Sequence, residues 1–421
     1  MREEGAMAGS IAESLRAHGR SPTREARVAG LVRPGFEAVR QAFEENFDRR
    51  GELGAACAVY LRGERVVDLW GGVRDAATGE PWREDTMALV FSATKGMASL
   101  AIALAHSRGL IDFDERVSTY WPEFAQAGKG AITVRQLLAH QAGLFALDER
   151  PDARLVADPD RLAAALARQK PAWPAGARQA YHAITVGFYQ GELLRRVDPA
   201  RRTLGRFFQE ELATPLGLDF YIRLPASIPD ARLAPLFRSG RMPLRMLLTM
   251  PPALAIAGMN PRSRLRRALQ GSELPERCER GVYARDLEIP AGGGVGTARA
   301  MARAYGVFAA GGKELGLREE TLRQLMAPPV RPARGFRDAC LKVEIAYALG
   351  FAKPTAGYPW GHPSAFGAPG AGGAFGFADP HSGIGFGYVP NGMGMHLDDP
   401  RAAALRRAVY GSIGVEDPYR G

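Results

Sequence analysis

The chain has 421 residues, of which 46% are hydrophobic and 24% are charged. This balance is ordinary for a soluble globular protein and excludes collagen, a coiled coil and wholesale disorder. A chain of this length forms one large domain or two closely joined domains, and it can bury a large core without disulfides or metal ions.

The formal charge is +10, and the basic residues are 49 arginines and only 6 lysines. Such a composition is typical of a GC-rich genome and a solvated basic surface. It leaves open a weak contact with acidic membrane surfaces, whereas no RNA-binding or zinc-finger signature supports binding to nucleic acid. The sequence gives no indication of an oligomeric state.

Three widely spaced cysteines, Cys57, Cys278 and Cys340, show neither a disulfide framework nor a metal-ligand pattern. Their use indicates a reducing compartment. The first residues lack the apolar run of a signal peptide, and no stretch of ~18 uninterrupted apolar residues is present. We therefore expect a cytoplasmic protein without a transmembrane segment.

In chain order, the sequence predicts strands near both ends and helices between them. Residues 1–30 are polar and rich in arginine, and we expect them to be a loosely attached leader. The segments that follow are a helix at 36–47, a hairpin at 55–72, a strand at 88–91, helices at 92–108, 133–140, 160–169, 181–197, 264–269 and 297–310, a second hairpin from 372–377 and 383–389, and a final helix at 400–410.

These elements favour an α/β fold of the α+β type, in which helices flank one antiparallel sheet built from both chain ends. Residues 31–110 and 290–421 would form this α/β domain, and residues 111–289 a helical domain beside it. A cleft between two such lobes is the expected place for chemistry. The helix at 92–108 is dominated by small residues, which predicts a buried central element.

Ser92 and Lys95 form the only Ser-x-x-Lys sequence in the chain, at the start of a predicted helix. On a helix these two side chains share a face, so the lysine can help to remove the serine proton and activate a poor nucleophile. The helix N-terminus also places partial positive charge where an oxyanion would form. The alternative is an N-cap serine beside a solvated lysine. No serine stands in the Gly-x-Ser-x-Gly context of the common α/β-hydrolase elbow.

Tyr181 is the candidate for a third group at this site. Beside the Lys95 ammonium its phenol would ionise more easily and could take the Ser92 proton. The alternative is an ordinary core tyrosine. The small-residue run 366–373 is a candidate for a strand that contacts substrate and binds an oxyanion with its backbone N–H groups, or else a tightly packed strand with a bulge.

Together these motifs resemble the serine β-lactamase and penicillin-binding-protein-like hydrolases, and the family VIII carboxylesterase branch in particular. The resemblance covers about residues 30–415. In chain order, the motifs that carry it are Ser92-x-x-Lys95, GLIDFDE at 109–115, TVRQLLAHQAGL at 133–144 and Tyr181. They are followed by GVGTAR at 294–299, the Gly-rich strand, GFADP at 376–380 and GYVPN at 387–391.

The resemblance implies a β-lactamase/transpeptidase-like fold and a serine acyl-enzyme mechanism, with no metal or organic cofactor. Ser92 would be the nucleophile, and Lys95 and Tyr181 would be the coupled base. By position, the backbone N–H groups of Ser92 and Ala371 would form the oxyanion hole. The candidate substrate-binding residues are Ala183, Met250, Ala368, Gly370 and Gly372.

Two positions depart from the family's pattern. Ala183 stands where members commonly carry Asn or Ser, and Ala368-Pro369-Gly370 stands where penicillin-recognising enzymes carry Lys-Thr-Gly. Ala368 cannot bind a substrate carboxylate by charge-assisted hydrogen bonds, which favours a neutral small-molecule ester or lactone as substrate. A β-lactamase or D-amino-acid peptidase is the first alternative, and a non-catalytic sensor on the same fold is the second.

Three further side chains each have a structural alternative. Met250 lies in a Met-rich segment, 243–259, which we expect to line an acyl pocket or cap the cleft, although methionines more often belong to the core. His140 is predicted to be structural and to cap a helix end. His362 could supply the charge that Ala368 lacks, but a turn or surface histidine is the favoured interpretation.

Overall fold

The computed structural model describes residues 28–238, 252–276, 281–394, 396 and 398–415. The α-helices are α1 (Glu37–Arg49), α2 (Ala93–Ser107), α3 (Val117–Tyr120), α4 (Val134–Leu138), α5 (Ala153–Ala157), α6 (Pro159–Arg168), α7 (Thr185–Val197), α8 (Leu204–Phe208), α9 (Thr214–Leu216), α10 (Pro252–Met259), α11 (Arg264–Ala268), α12 (Ala298–Ala309), α13 (Glu319–Met326) and α14 (Pro400–Ser412). The strands are β1 (Val28–Val32), β2 (Gly54–Leu61), β3 (Glu64–Asp75), β4 (Glu80–Pro81), β5 (Ala88–Leu89), β6 (Phe220–Tyr221), β7 (Val295–Gly296), β8 (Ala346–Ala348), β9 (Phe351–Lys353), β10 (Phe366–Pro369), β11 (Phe375–Asp379) and β12 (Ile384–Pro390).

Nine of the strands described here form one antiparallel sheet in the order β1-β3-β2-β12-β11-β10-β9-β8, with β4 beside β3. β2 and β12 pair along their length, from Ala55 opposite Pro390 to Leu61 opposite Ile384. The predicted antiparallel sheet built from both chain ends and flanked by helices is therefore confirmed. A smaller sheet, β5-β7-β6, leads into the N-terminus of α2.

Helices cover both faces of the large sheet. On one face α1 and α14 pack together over an apolar cluster that includes Phe43, Leu69, Phe377 and Leu405. On the other face α12 packs on β12, β2 and β11, and α2 lies against β10. All residues of α2 are buried, which confirms the predicted central element.

α12 lies almost on the backbone of β12 because two glycines of the strand face it. A Cβ added at Gly385 would lie 2.2 Å from Gly306 N, and one added at Gly387 would lie 2.3 Å from Ala298 O. Such distances are far below any real carbon contact, so larger residues would push the helix away. The sequence predicted a helix at 297–310, and the structure begins it after the N-cap Thr297, whose hydroxyl accepts from the Ala300 N–H at 3.1 Å.

Some expectations differ from the structure. Val28–Val32 pairs with β3, so the predicted leader extends too far; residues 1–27 lie outside the described ranges. The helix expected to start at 181 begins at Thr185. In the described part of residues 111–289, helices alternate with loops and β6 is a short strand, and the division into two domains stays a prediction. Of the helices that the structure describes, none is both long and apolar enough to cross a membrane.

Candidate active site

Ser92 stands at a sharp turn between β5 and α2. Phe91, just before it, has a φ of 46°, in the left-handed region that bulky residues rarely adopt. The Thr94 hydroxyl holds the turn by donating to Phe91 O at 2.5 Å, and it accepts from the Gly294 N–H at 2.8 Å. The Ser92 side chain makes no capping hydrogen bond, so an N-cap role does not account for it.

The side chains of Lys95 and Tyr181 meet at the Ser92 hydroxyl. Lys95 Nζ lies 3.0 Å from Ser92 Oγ, and the Tyr181 hydroxyl donates to the same oxygen at 2.6 Å. Nζ is also 4.7 Å from the centroid of the Tyr181 ring. The fold thus brings together three groups that lie up to 89 residues apart in the chain.

The Lys95 amine is buried among backbone carbonyls. Nζ donates to Ala183 O at 2.7 Å and to Ala291 O at 2.8 Å. Burial lowers the pKa of Lys95 well below its ordinary value, because a low dielectric disfavours the ammonium. A neutral amine that donates two N–H bonds in this way keeps its lone pair for a third direction, towards Ser92.

The Tyr181 pKa differs from the expectation. Burial raises the pKa of the phenol, the hydrogen bond with Ser92 opposes that rise, and the Asp338 carboxylate adds to it. The same burial disfavours the ammonium form of Lys95 and lowers the pKa of that lysine. The expectation of an easily ionised phenol is therefore wrong, because burial raises the pKa of Tyr181.

Buried side chains hold the irregular segment that carries Tyr181. His140 follows α4 with a φ of 59°; its Nδ1 accepts from the His182 N–H at 3.1 Å, and its carbonyl accepts from the Ala180 N–H at 3.0 Å. Burial and the nearby Lys95 lower the pKa of His182 to about 3. These contacts agree with a structural role for His140.

Two parts of the site were missed by sequence reasoning. The Tyr347 ring stacks on Tyr181 with centroids 5.9 Å apart and contacts the His140 ring at 4.4 Å. Ala291 contributes only its carbonyl, to Lys95. The Ala-Gly-Gly-Gly sequence at 291–294 was a signal of backbone close to a functional group, whereas a core tyrosine such as Tyr347 carries no local signal.

The loop after β10 lies against the Ser92 turn. A Cβ added at Gly370 would lie 2.2 Å from Val90 O and 3.2 Å from Ala93 N, so this contact needs a glycine. Among the described residues, no hydrogen bond uses the backbone N–H of Ser92 or of Ala371, and Ala371 is exposed. Two unpaired N–H groups are thus available on adjoining segments.

The other candidates are placed less directly. Ala368 is 4% exposed, and a Cβ added at Gly96 of α2 would lie 3.1 Å from its methyl carbon, so the methyl group packs on the helix. His362 stacks on His381 of the β11–β12 turn with centroids 3.9 Å apart, as expected for a turn histidine. Met250 lies outside the described residues. Over the described part of the chain, no three His, Cys, Asp or Glu side chains are grouped to hold a metal ion.

Comparison with known proteins places this chain in a family. The family model described as Beta-lactamase matches residues 39–411. Esterase/beta-lactamase LipL of Mycobacterium tuberculosis is 36% identical over 394 residues, which cover 88% of this chain and 84% of the relative.

Two solved structures are similar over nearly their whole length. A penicillin-binding protein homologue from Caulobacter crescentus has a TM-score of 0.78 at 37% identity, and the match covers 91% of this chain and 99% of that chain. A family VIII carboxylesterase has a TM-score of 0.76 at 37% identity, with the same coverage of both chains. In agreement with the resemblance seen in its sequence, this chain is a hydrolase that belongs to the beta-lactamase family.

Proposed function

We propose that this protein hydrolyses carboxylic esters, or lactones, through an acyl-enzyme formed on Ser92, with Lys95 and Tyr181 as the coupled proton carriers. The observation that supports this most directly is that an amine and a phenol both lie within hydrogen-bond distance of one hydroxyl, at 3.0 Å and 2.6 Å. The names of two relatives, an esterase and a carboxylesterase, point the same way.

Lys95 is the base in this proposal. Its N–H bonds are directed at the carbonyls of Ala183 and Ala291, and the lone pair then faces Ser92. As Ser92 Oγ attacks the ester carbonyl carbon, the hydroxyl proton passes to Nζ. Burial prepares Lys95 for this step, because a lysine acts as a base at neutral pH only when its pKa is lowered.

Tyr181 is the acid. Its raised pKa keeps the phenol proton available for the leaving alcohol, and the proton on Lys95 then restores the phenol. The N–H groups of Ser92 and Ala371 stabilise the negative oxygen of the tetrahedral intermediate. Water attacks the acyl ester in the second half-reaction and passes its proton to the same pair, which releases the carboxylic acid and frees the serine.

A neutral substrate follows from the residues that replace the family's polar groups. Ala368 offers no cation for a substrate carboxylate, and Ala183 contributes a carbonyl rather than an amide side chain. Gly370 and Gly372 remain the proposed backbone contacts, and Met250 a proposed pocket residue. The cytoplasmic location expected from the sequence stays a prediction.

Hydrolysis of β-lactams is the second candidate, favoured by the name of the Mycobacterium relative, which includes both esterase and beta-lactamase. The missing cation at Ala368 argues against it and against a D-amino-acid peptidase. The sensor alternative predicts that Ser92 is acylated but that water does not release the acyl group. The intact group of Ser92, Lys95 and Tyr181 argues against that alternative.

The test compares the wild-type protein with Ser92→Ala and Ser99→Ala in hydrolysis of p-nitrophenyl butyrate and of a chromogenic cephalosporin. Ser99 is the matched control, because it is a buried serine of the same helix that accepts from Gln190 Nε2 at 2.8 Å. We expect Ser92→Ala to lose more than ~10³-fold in kcat for the ester and Ser99→Ala to stay within a few-fold of wild type.

Equal ester hydrolysis in wild type and Ser92→Ala would contradict the proposal. Turnover of the cephalosporin alone would favour the second candidate. Stable labelling of Ser92 by a fluorophosphonate, seen by intact-mass spectrometry without turnover of either substrate, would favour the sensor.

A further inference from the structure

Arg401, in the first turn of α14, is 4% exposed and uses all five of its guanidinium N–H bonds. Two of them hold Asp399: Nε donates to Oδ1 at 3.0 Å and Nη2 donates to Oδ2 at 2.8 Å. Nη1 donates to Glu52 Oε1 at 2.9 Å and to Gly392 O at 3.1 Å. The fifth bond runs from Nη2 to Gly372 O at 2.7 Å.

The Gly372 carbonyl belongs to the loop that follows β10. Gly372 and Gly373 have φ values of 85° and 105°, a conformation that costs L residues energy but leaves glycine many alternatives. The same carbonyl accepts from the Gly394 N–H at 3.1 Å. Because the loop has little side-chain packing of its own, these two donors limit its conformation.

The carboxylate partner of Arg401 is pressed against the same loop. A Cβ added at Gly373 would lie 2.6 Å from Asp399 Oδ2, and one added at Gly394 would lie even closer, at 1.9 Å. The two glycines therefore let the ion pair approach the backbone. The Arg401–Asp399 ion pair and the loop are therefore packed directly against each other.

Glu52 extends the network to the segment after α1. Its other oxygen accepts from the buried Tyr388 hydroxyl, and burial raises the pKa of Glu52 while Arg401 opposes the rise. Burying several charged groups is expensive, and apolar residues of similar volume often serve stability equally well. Since stability alone does not require these charges, we expect the network to position the loop that Arg401 contacts.

We propose that Arg401 is a positioning residue of the active site, which holds the Gly372 carbonyl so that the neighbouring Ala371 N–H is directed at the developing oxyanion. This inference rests on the proposed function. Lysine cannot replace the planar guanidinium, because an ammonium has three donors in a different geometry and cannot reach five acceptors.

The experiment uses Arg401→Lys in the full chain, with Arg406→Lys as the matched control. Arg406 is also buried in α14, but it pairs with Asp398 and lies over the Phe375 ring. Because loss of one oxyanion donor costs about 10²–10³-fold in kcat, we expect Arg401→Lys to lose roughly that much with KM changed only a few-fold. Arg406→Lys should keep its kcat.

A second readout does not depend on turnover. The rate at which a fluorophosphonate modifies Ser92 should fall in Arg401→Lys by a similar factor, because the phosphoryl oxygen needs the same N–H groups. Near-UV circular dichroism checks that each variant is folded. If Arg401→Lys does not fold, Glu52→Gln decides, since it weakens one bond of the network and should lower both rates about 10-fold.

Folded variants with wild-type kcat and wild-type modification rates would overturn the role of Arg401. A change in KM alone, with kcat equal to that of wild type, would overturn it as well. The proposed function fails separately, if the wild-type protein is not modified at Ser92 or if Ser92→Ala keeps full esterase activity.

Discussion

Burial shifts the pKa values of Lys95 and Tyr181 in the directions that favour their neutral forms. In water at neutral pH a lysine is an ammonium and a tyrosine a phenol, so burial opposes the ordinary charge state of the lysine only. The Ala183 and Ala291 carbonyls orient the amine without supplying a charge that would restore the ammonium. Desolvation by itself therefore favours the amine form of Lys95, which the proposed role as a base requires.

Tyr181→Phe tests the phenol directly. The variant keeps the ring that stacks on Tyr347 but removes the hydroxyl that lies 2.6 Å from Ser92 Oγ. We expect kcat for an ester to fall by about 10²–10⁴-fold, the usual contribution of a positioned proton carrier, with little change in Tm.

Tyr347→Phe is the matched control, because the buried Tyr347 hydroxyl has no hydrogen-bond partner among the described residues. Its removal should leave kcat within a few-fold of wild type and leave Tm equal or higher. Equal losses of kcat in both variants would show that ring packing, not the Tyr181 hydroxyl, carries the effect.

Local spacing made part of this site predictable. Ser92 and Lys95 are one helical turn apart, so their meeting follows from helix geometry alone. The Ala291 carbonyl and the Arg401 guanidinium act across 196 and 29 residues through backbone atoms, which are the same in every residue type. Sequence therefore predicts which side chains meet at Ser92 better than it predicts their backbone partners.

At the scale of elements, the contact of α12 with β12 sets the distance between a helix and the sheet. The strand presents Gly385 and Gly387 to the helix backbone, and α12 in turn places Tyr305 against Gly96 of α2. The position of α2, and with it Ser92, is thus coupled to a glycine contact on a distant strand.

Gly385→Ala should destabilise the protein by about 1–3 kcal/mol, because overpacking forces the helix from the strand. Gly411→Ala is the matched control: Gly411 lies in α14, and an added Cβ would meet nothing within 4 Å. That variant should be neutral or more stable by about 0.5–1 kcal/mol. Urea unfolding measures both, and equal free energies of unfolding for the two variants would contradict the close-contact argument.

Long elements were predictable, and short ones were not. The periodic patterns of α1, α12 and the β2–β3 hairpin extend over enough residues to be recognised. β8 and β9 have three residues each, too few to show alternation. β1 overlaps the leader predicted from the polar, arginine-rich composition of residues 1–30, and only pairing with β3 identifies Val28–Val32 as a strand.

At the scale of the whole molecule, buried neutral bases make the fold sensitive to acid. The pKa of His182 is lowered to about 3 and that of His140 well below its ordinary value, in both cases chiefly by burial. Below pH 6.5 the unfolded chain binds protons that the folded chain refuses, so stability is lost as the pH falls. This loss continues towards pH 3 for His182.

His182→Leu should reduce the dependence of the free energy of unfolding on pH. Between pH 6.5 and 4 the wild type should lose roughly 3 kcal/mol more than the variant, as expected for one group with these two pKa values. The free energy of unfolding in urea at several pH values measures the difference, with His381→Gln as a control at an exposed turn. An identical slope in wild type and His182→Leu would contradict the assignment of a buried neutral histidine.

The pairing of β2 with β12 has a consequence for synthesis. Cys57 and Tyr388 face each other although they are about 330 residues apart, so at ~5–20 residues per second β2 leaves the ribosome on the order of 15–65 s before its partner exists. During that time the apolar segment Gly54–Leu61 has no strand on its inner edge, and Ser92 has no finished sheet behind it. The nascent chain thus exposes an unpaired strand edge, which favours non-native pairing, and the turn that carries Ser92 lacks its finished sheet until the chain has been made as far as β12.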